Sequence, residues 1–391
     1  MTDPLRRDGL EAFDDVAQRH VDSADVPGIV ALVASSDQVH VATAGALSLG
    51  GAPVKRDSLF RIASITKPVT GAATLALVGE GLLSLDEPIG RLLPELADPR
   101  VLRRQDAPLD DTVPAQRAIT VRDLLTFTFG FGFSAGMFMA ESPWPIVEAE
   151  HALNLHTLGP PDPADQPETD TWIARLGSLP LIAQPGETWL YNTGASVLGV
   201  LIARAVGVPL SEVFSSRLFE PLGMRDTSTW TSDVDRLATA YAGTPDGPEV
   251  WDPADGGAWS RPPSFEDGAA SLVSTVDDLL AFARMLQRGG DRVVAPELVA
   301  AMTSNQLDPS QAGSGAAPIL LGRGWGFCQS VLTQGPRAGA FGWDGGLGTT
   351  WLVDPVRDLT VIVLTQRLFS SPDPPEVHVD LQAAAYAALD L

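Results

Sequence analysis

Ser64-Ile65-Thr66-Lys67 sets a hydroxyl and an ammonium three residues apart at the start of an apolar run. On a helix that spacing puts both side chains on one face, so both can enter one cleft. The positive end and free N–H groups of a helix N-terminus would stabilise an oxyanion there and lower the lysine pKa. A desolvated amine can then take the serine proton. The bland reading is a surface serine beside a solvated lysine. Against it stands the scarcity of lysine in an arginine-rich chain, which has only Lys55 and Lys67.

Tyr191-Asn192-Thr193 is the second candidate. It follows a Gln184-Pro185-Gly186 turn signal and precedes the apolar run Gly194 to Ala205. A phenol at such a junction can project into a cleft, and near an ammonium its proton becomes available for base work. The plain alternative is a tyrosine packed with its hydroxyl at the surface. The third candidate is Phe341-Gly342-Trp343-Asp344-Gly345-Gly346-Leu347-Gly348, between β-type runs. Glycines there let an acyl group approach the backbone and free an N–H for an oxyanion hole. A glycine-rich turn explains the same residues, and no GK[ST] follows that would make it a phosphate loop.

Elements able to position these groups can be read from periodicity. Residues 8–21 have helical apolar spacing, and 28–36 with 39–46 read as a β-hairpin. Helices are expected from Ser64 to Gly79, from 194 to 205, from 276 to 286 and from 377 to 389. Short β-type runs lie at 324–331, 338–343, 348–353 and 359–365. Sequential runs favour antiparallel pairing, and the N-terminal hairpin can complete the same sheet. Residues 84–135 read as short helices and loops and 240–268 as irregular chain. The Pro/Asp-rich stretch 142–185 reads as a lid or cleft wall.

The 391 residues, 45% hydrophobic and 19% charged, describe a globular chain large enough for one big core or two layers around a cleft. A net charge of −23 repels phosphate backbones and anionic lipids, which argues against nucleic-acid and membrane-surface partners. Cys328 alone provides neither a disulfide nor a thiolate cluster. His151 and His156, with Glu148 nearby, lack helical zinc spacing, so no metal is expected. No apolar run reaches eighteen residues, and the start has no apolar leader, so a cytoplasmic protein is expected. A Ser-His-Asp enzyme is disfavoured, because His378 sits where such a histidine could but no G-x-S-x-G elbow accompanies it. Oligomeric state is not legible.

In order along the chain, these segments resemble the serine β-lactamase and penicillin-binding-protein superfamily. Within it they resemble the class C β-lactamase-like branch that includes family VIII carboxylesterases. The resemblance rests on residues 60–89, 121–130, 185–199, 220–227 and 342–355, and so covers most of the chain. It implies an α/β (α+β) fold: an antiparallel sheet flanked by helices, with an inserted mostly helical domain. Residues 1–75 and 270–391 would form the sheet domain and 76–269 the helical one. The resemblance also implies Ser64 as acylated nucleophile, Lys67 as its activating partner and Tyr191 as the base that returns a proton to the leaving group. Backbone N–H groups of Ser64 and Gly346 would form the oxyanion hole. Trp343, Asp344 and Gly345 take the place of the family's Lys-Thr-Gly or His-Thr-Gly motif.

Two departures shape the expected substrate. Thr193 stands where β-lactamases carry an asparagine that contacts the acylamino chain. Trp343 replaces the cation that meets the antibiotic carboxylate, and an apolar ring favours neutral acyl groups. Phe127 and Phe129 make the 124–130 motif more apolar than usual. With Phe131, Phe133, Phe138 and Trp144 they read either as a greasy acyl pocket or as domain core. The expected function is hydrolysis of a small-molecule neutral ester, without a cofactor. A β-lactamase or D-amino-acid peptidase and an acyltransferase are the alternatives, and a non-catalytic binding protein is disfavoured.

Overall fold

The structure is a computed structural model that describes residues 5–245, 247–312, 317–320 and 322–389. Helix α1 (Arg7–Asp22) leads into strands β1 (Gly28–Ala34) and β2 (Val39–Gly45). Helices α2 (Thr66–Gly79), α3 (Val121–Leu125), α4 (Thr193–Val206) and α5 (Val276–Gln287) follow. The last quarter supplies β3 (Gly324–Trp325), β4 (Ser330–Val331), β5 (Phe341–Gly345), β6 (Thr349–Asp354) and β7 (Leu359–Thr365), then α6 (Glu376–Ala387). All seven strands form one antiparallel sheet in the order β2-β1-β7-β6-β5-β4-β3. The N-terminal hairpin joins the C-terminal meander through β1 and β7, in register from Ile29↔Thr365 to Ala34↔Thr360.

Both faces of that sheet are covered, which is why β1 reads as an unbroken apolar run. Ile29, Ala31 and Val33 pack with Phe13 and Val16 of α1 and Leu381 and Ala385 of α6. Val30 and Leu32 alternate onto the other face, in the large core that contains α2. Helix α2 is buried at every position from Thr66 to Leu77, as befits a helix apolar all round. Its threonines bond backbone: Thr70 and Thr74 reach carbonyls one turn back, and Thr70 Oγ1 also donates to Gly268 at 2.6 Å. Among the described residues no single helix is long and apolar enough to cross a membrane, although α4 with Leu210–Leu222, bent by 79°, passes by length and composition.

Two middle stretches are more ordered than their composition implies. Residues 240–268, expected to be irregular, contain a hairpin of Ala240–Thr244 with Gly247–Asp252. Tertiary contacts hold it: Tyr241 bridges to Arg367, and the buried Arg61 guanidinium bonds Asp252. The 142–185 stretch forms helices at Pro145–Ala152 and Thr169–Gly177. Trp172 anchors it in the core, stacking on Phe265 and donating its indole N–H to Leu155 O at 3.0 Å.

Candidate active site

Ser64 sits in a short 3-10 turn (Ala63–Ile65) immediately before α2. Ala63 has φ +43°, a left-handed conformation that costs an L-residue energy and persists only where its surroundings impose it. The imposing contacts come from β5 and β6. A β-carbon on Gly345 would lie 2.3 Å from Ile62 O, and Thr349 Oγ1 donates to that same oxygen at 3.2 Å. Ile62 N–H donates to Leu272 O. The serine is thereby lodged between the sheet and the loop before α5.

Lys67, the second residue of α2, is fully buried. Its Nζ lies 2.8 Å from Ser64 Oγ and 3.0 Å from Ala269 O, and 4.8 Å from the centre of the Tyr191 ring. Burial pushes its pKa from the ordinary 10.5 down to about 7, opposed by the charge of Asp267. Nζ donates to both Ser64 Oγ and Ala269 O; the neutral amine can keep the bond to Ala269 O and offer its lone pair to the serine proton. Sequence reading did not find the Ala269 carbonyl, which lies on a loop about two hundred residues downstream. Gly268 lets that loop come close, because a β-carbon there would lie 2.4 Å from Ala195 O of α4. Asp267 then turns back to accept the Ala269 N–H at 2.9 Å. The Asp-Gly pair at 267–268 is the one sequence signal that could have marked this turn.

Tyr191 reaches the same point from the helical layer. Its N–H and C=O exchange 2.9 Å hydrogen bonds with Phe133, and Gly132 lets the strands close. The next residue, Asn192, has φ 82° and ψ −67°, and its amide donates to Thr157 O at 2.7 Å. This tight turn brings the phenol toward Ser64, whose hydroxyl favours the ionised phenol and so opposes the effect of burial on it. Trp343 Nε1 donates to Tyr191 Oη at 2.8 Å. Burial pushes the phenol pKa well above its ordinary value, although the bonds from Ser64 and Trp343 oppose the shift. Tyr191 is therefore a neutral phenol throughout the physiological range, unlike the phenolate that proximity to an ammonium would favour.

Trp343 lies in the middle of β5 and Gly346 in the turn after it. Gly346 N–H has no backbone acceptor among the described residues, and a β-carbon there would meet nothing within 4 Å. Aromatic rings pack around Tyr191: Trp189 stacks at 5.7 Å between ring centres, Trp343 lies at 5.5 Å and Trp325 meets it edge-on at 6.4 Å. Trp189 and Trp325 were not singled out from sequence.

Three expected substrate contacts are placed elsewhere. Asp344 follows Trp343 in a strand, so it points through the opposite face of the sheet. There it accepts from Thr350 Oγ1 at 2.6 Å, and Thr350 in turn is bonded by Gln382 of α6. Thr193 is fully buried, with its hydroxyl bonded to Thr157 Oγ1 at 3.1 Å. Phe127 is fully buried behind Tyr191, in contact with Trp189 and Trp325. Phe129 and Phe131 are likewise core residues, whereas the Phe138 side chain lies outside the described residues. A cleft of about 890 Å³ is lined by residues including Leu102, Ala135, Ile182 and Thr188, and by none of Ser64, Lys67 or Tyr191.

A serine on a strained turn before a buried helix, a desolvated lysine and a phenol on a sheet-bearing α/β scaffold define a serine acyl-transfer fold. The chain belongs to the Beta-lactamase family, which it matches over residues 13–385. It is 39% identical over 352 residues to Protein Rv1367c of Mycobacterium tuberculosis (85% of this chain, 82% of that one). It is also 31% identical over 385 residues to Esterase EstB of Burkholderia gladioli (92% of this chain, 91% of that one). Among solved structures it resembles EstCE1, described as a hydrolase with promiscuous acyltransferase activity. There the TM-score is 0.79 at 25% identity, over 97% of this chain and 99% of that one.

Proposed function

We propose that this protein hydrolyses neutral carboxylic esters through an acyl-Ser64 intermediate. The observation that carries the reading is the buried Lys67 amine 2.8 Å from Ser64 Oγ, with its pKa near 7. Neutral Lys67 accepts the Ser64 proton as Oγ attacks the ester carbonyl. The backbone N–H groups of Ser64 and Gly346 hold the oxyanion, each donor contributing about 3 kcal/mol at the transition state. On collapse, Tyr191 gives its phenolic proton to the departing alkoxide and recovers one relayed from the Lys67 ammonium. Water then attacks the acyl-enzyme, with the proton steps reversed. High burial suits Tyr191 to this donor-and-relay role, and Trp343 holds its oxygen in place. Replacing Tyr191 with Phe is expected to lower kcat at least ~100-fold while KM changes little, measured on p-nitrophenyl butyrate. A loss confined to KM would reduce Tyr191 to a binding residue.

Esters rather than β-lactams are favoured by Trp343, whose buried indole offers no cation to a substrate carboxylate. Nitrocefin is accordingly expected to turn over slowly or not at all, and efficient cleavage would make this a β-lactamase. Acyl transfer to an alcohol is the second reading, since the same acyl-enzyme serves it and EstCE1 is described with that activity. Adding a primary alcohol during ester turnover separates the two: a transferase gives mainly the new ester, a hydrolase mainly free acid.

A further inference from the structure

Between β5 and β6 the chain turns through Gly345-Gly346-Leu347-Gly348, closed by a 2.9 Å bond from Gly348 N–H to Gly345 O. On the side of Ser64, Gly345 is pressed against Ile62 O. From behind, three donors converge on a single acceptor, the carbonyl oxygen of Gly348. Thr365 supplies its N–H at 2.9 Å and its Oγ1 at 2.7 Å, and His378 supplies Nε2 at 3.2 Å. Gly348 has φ +109°, and a β-carbon there would lie 2.6 Å from Thr365 Oγ1, so the turn lies directly on the end of β7.

His378 belongs to α6, is 1% exposed and packs against the Phe369 ring, 5.4 Å between ring centres. A carbonyl only accepts, so the bond to Gly348 requires the proton on Nε2. Burial lowers the imidazole pKa and keeps the ring neutral, which leaves Nδ1 as a buried atom without a hydrogen-bond partner among the described residues. An unsatisfied buried polar atom is costly. A leucine or phenylalanine would fill this space without that cost, so packing alone does not explain a histidine here.

We infer that His378 is a positioning residue for oxyanion binding: together with Thr365 it clamps Gly348 O and so fixes the turn that carries the Gly346 N–H. The inference rests on the acyl-enzyme reading above. In this arrangement His378 does not touch substrate or Ser64 and takes no part in proton transfer. It acts across the sheet by keeping one backbone donor aimed at the position that the tetrahedral oxygen will occupy.

The test compares His378→Ala, His378→Gln and Thr365→Val with the parent enzyme. It uses p-nitrophenyl butyrate kinetics and inhibition by an alkyl boronic acid, which forms a tetrahedral adduct with serine. Loss of alignment should cost less than outright removal of a donor, for which roughly 10²–10³-fold is typical. His378→Ala is therefore expected to lower kcat and boronate affinity together by about 10- to 100-fold, with KM for the ester within about threefold. Thr365→Val should shift both in the same direction. His378→Gln, whose amide N–H can replace Nε2–H, should recover most of the loss. Folded His378→Ala or Thr365→Val protein with parental kcat and boronate affinity overturns the inference, even if Tm falls. Should His378→Ala fail to fold, Thr365→Val and His378→Gln decide by the same two readouts. A parallel Ser64→Ala control keeps the two claims apart: its full activity would remove the acyl-enzyme reading itself, whatever His378 does.

Discussion

Ser64→Ala is expected to stay folded and to lose ester turnover, with kcat lower by roughly 10⁴- to 10⁶-fold, as when the catalytic groups of a serine hydrolase are removed. The structure gives two reasons to expect so large an effect. No other hydroxyl is described within bonding distance of Lys67 Nζ, whose hydrogen-bond partners are Ser64 Oγ and Ala269 O. The strained Ala63 backbone also exists to present this one residue, held by Ile62 against β5 and β6. Because Ser64 is only partly buried and its hydroxyl is small, the truncation leaves little cavity. Tm should therefore stay near that of the parent, so that lost activity and lost folding are easily told apart. The measurement is initial rate on p-nitrophenyl butyrate alongside thermal unfolding. Turnover retained within tenfold would show that the nucleophile lies elsewhere.

The second large effect concerns Lys67 and has a sign fixed by its chemistry. Burial depresses the pKa of this group, so its ammonium persists only below about 7. The neutral amine is the form that accepts the serine proton. Activity should thus be low in acid, rise through an apparent pKa near 7 and level off above it. Tyr191 contributes no fall at alkaline pH in this range, because burial raises its pKa and keeps the donating phenol protonated. Lys67→Arg keeps a cation that does not deprotonate in this range and should lose at least ~10³-fold in kcat at every pH. Lys67→Met, which suits the buried site, should lose activity similarly, with better stability. A profile flat from pH 5 to 9 in the parent enzyme, or an active Lys67→Arg variant, would mean that another group takes the proton.

Much of this architecture could be read from local pattern, because burial and periodicity leave local traces. The runs of β1 and α2 are apolar on every side because they are covered on every side, and each was recognisable without knowing its neighbours. Antiparallel connectivity of the last strands left room for the N-terminal hairpin to complete their sheet, and β1 does so against β7. Ser64, Lys67 and Tyr191 were singled out because serine and lysine share a helix face and tyrosine is rare in this chain. Their meeting is a tertiary fact. The failures share one cause, which is direction. Asp344 is adjacent to Trp343 in sequence, yet a one-residue step in a strand sends it through to α6. Thr193 and Phe127 occupy the right motifs but lie one layer too deep, where the Asn192 turn and the Trp189–Trp325 packing put them. The Ala269 carbonyl carries no side-chain signature at all, and only the Asp267-Gly268 turn hinted that the backbone would approach α2 there. The hairpin at 240–252 is held by Arg61 and Arg367 from distant parts of the chain, which local composition does not reveal.

The central claim is a covalent one and is tested most directly by mass. Enzyme mixed rapidly with excess p-nitrophenyl butyrate, quenched in acid within the first turnovers and digested should yield one peptide heavier by a single butyryl group. Fragmentation should place that group on Ser64, and the adduct should accumulate further in Tyr191→Phe if proton return governs its release. An acyl group found on any other residue, or rapid turnover with no trapped adduct at any quench time, would contradict the mechanism proposed here.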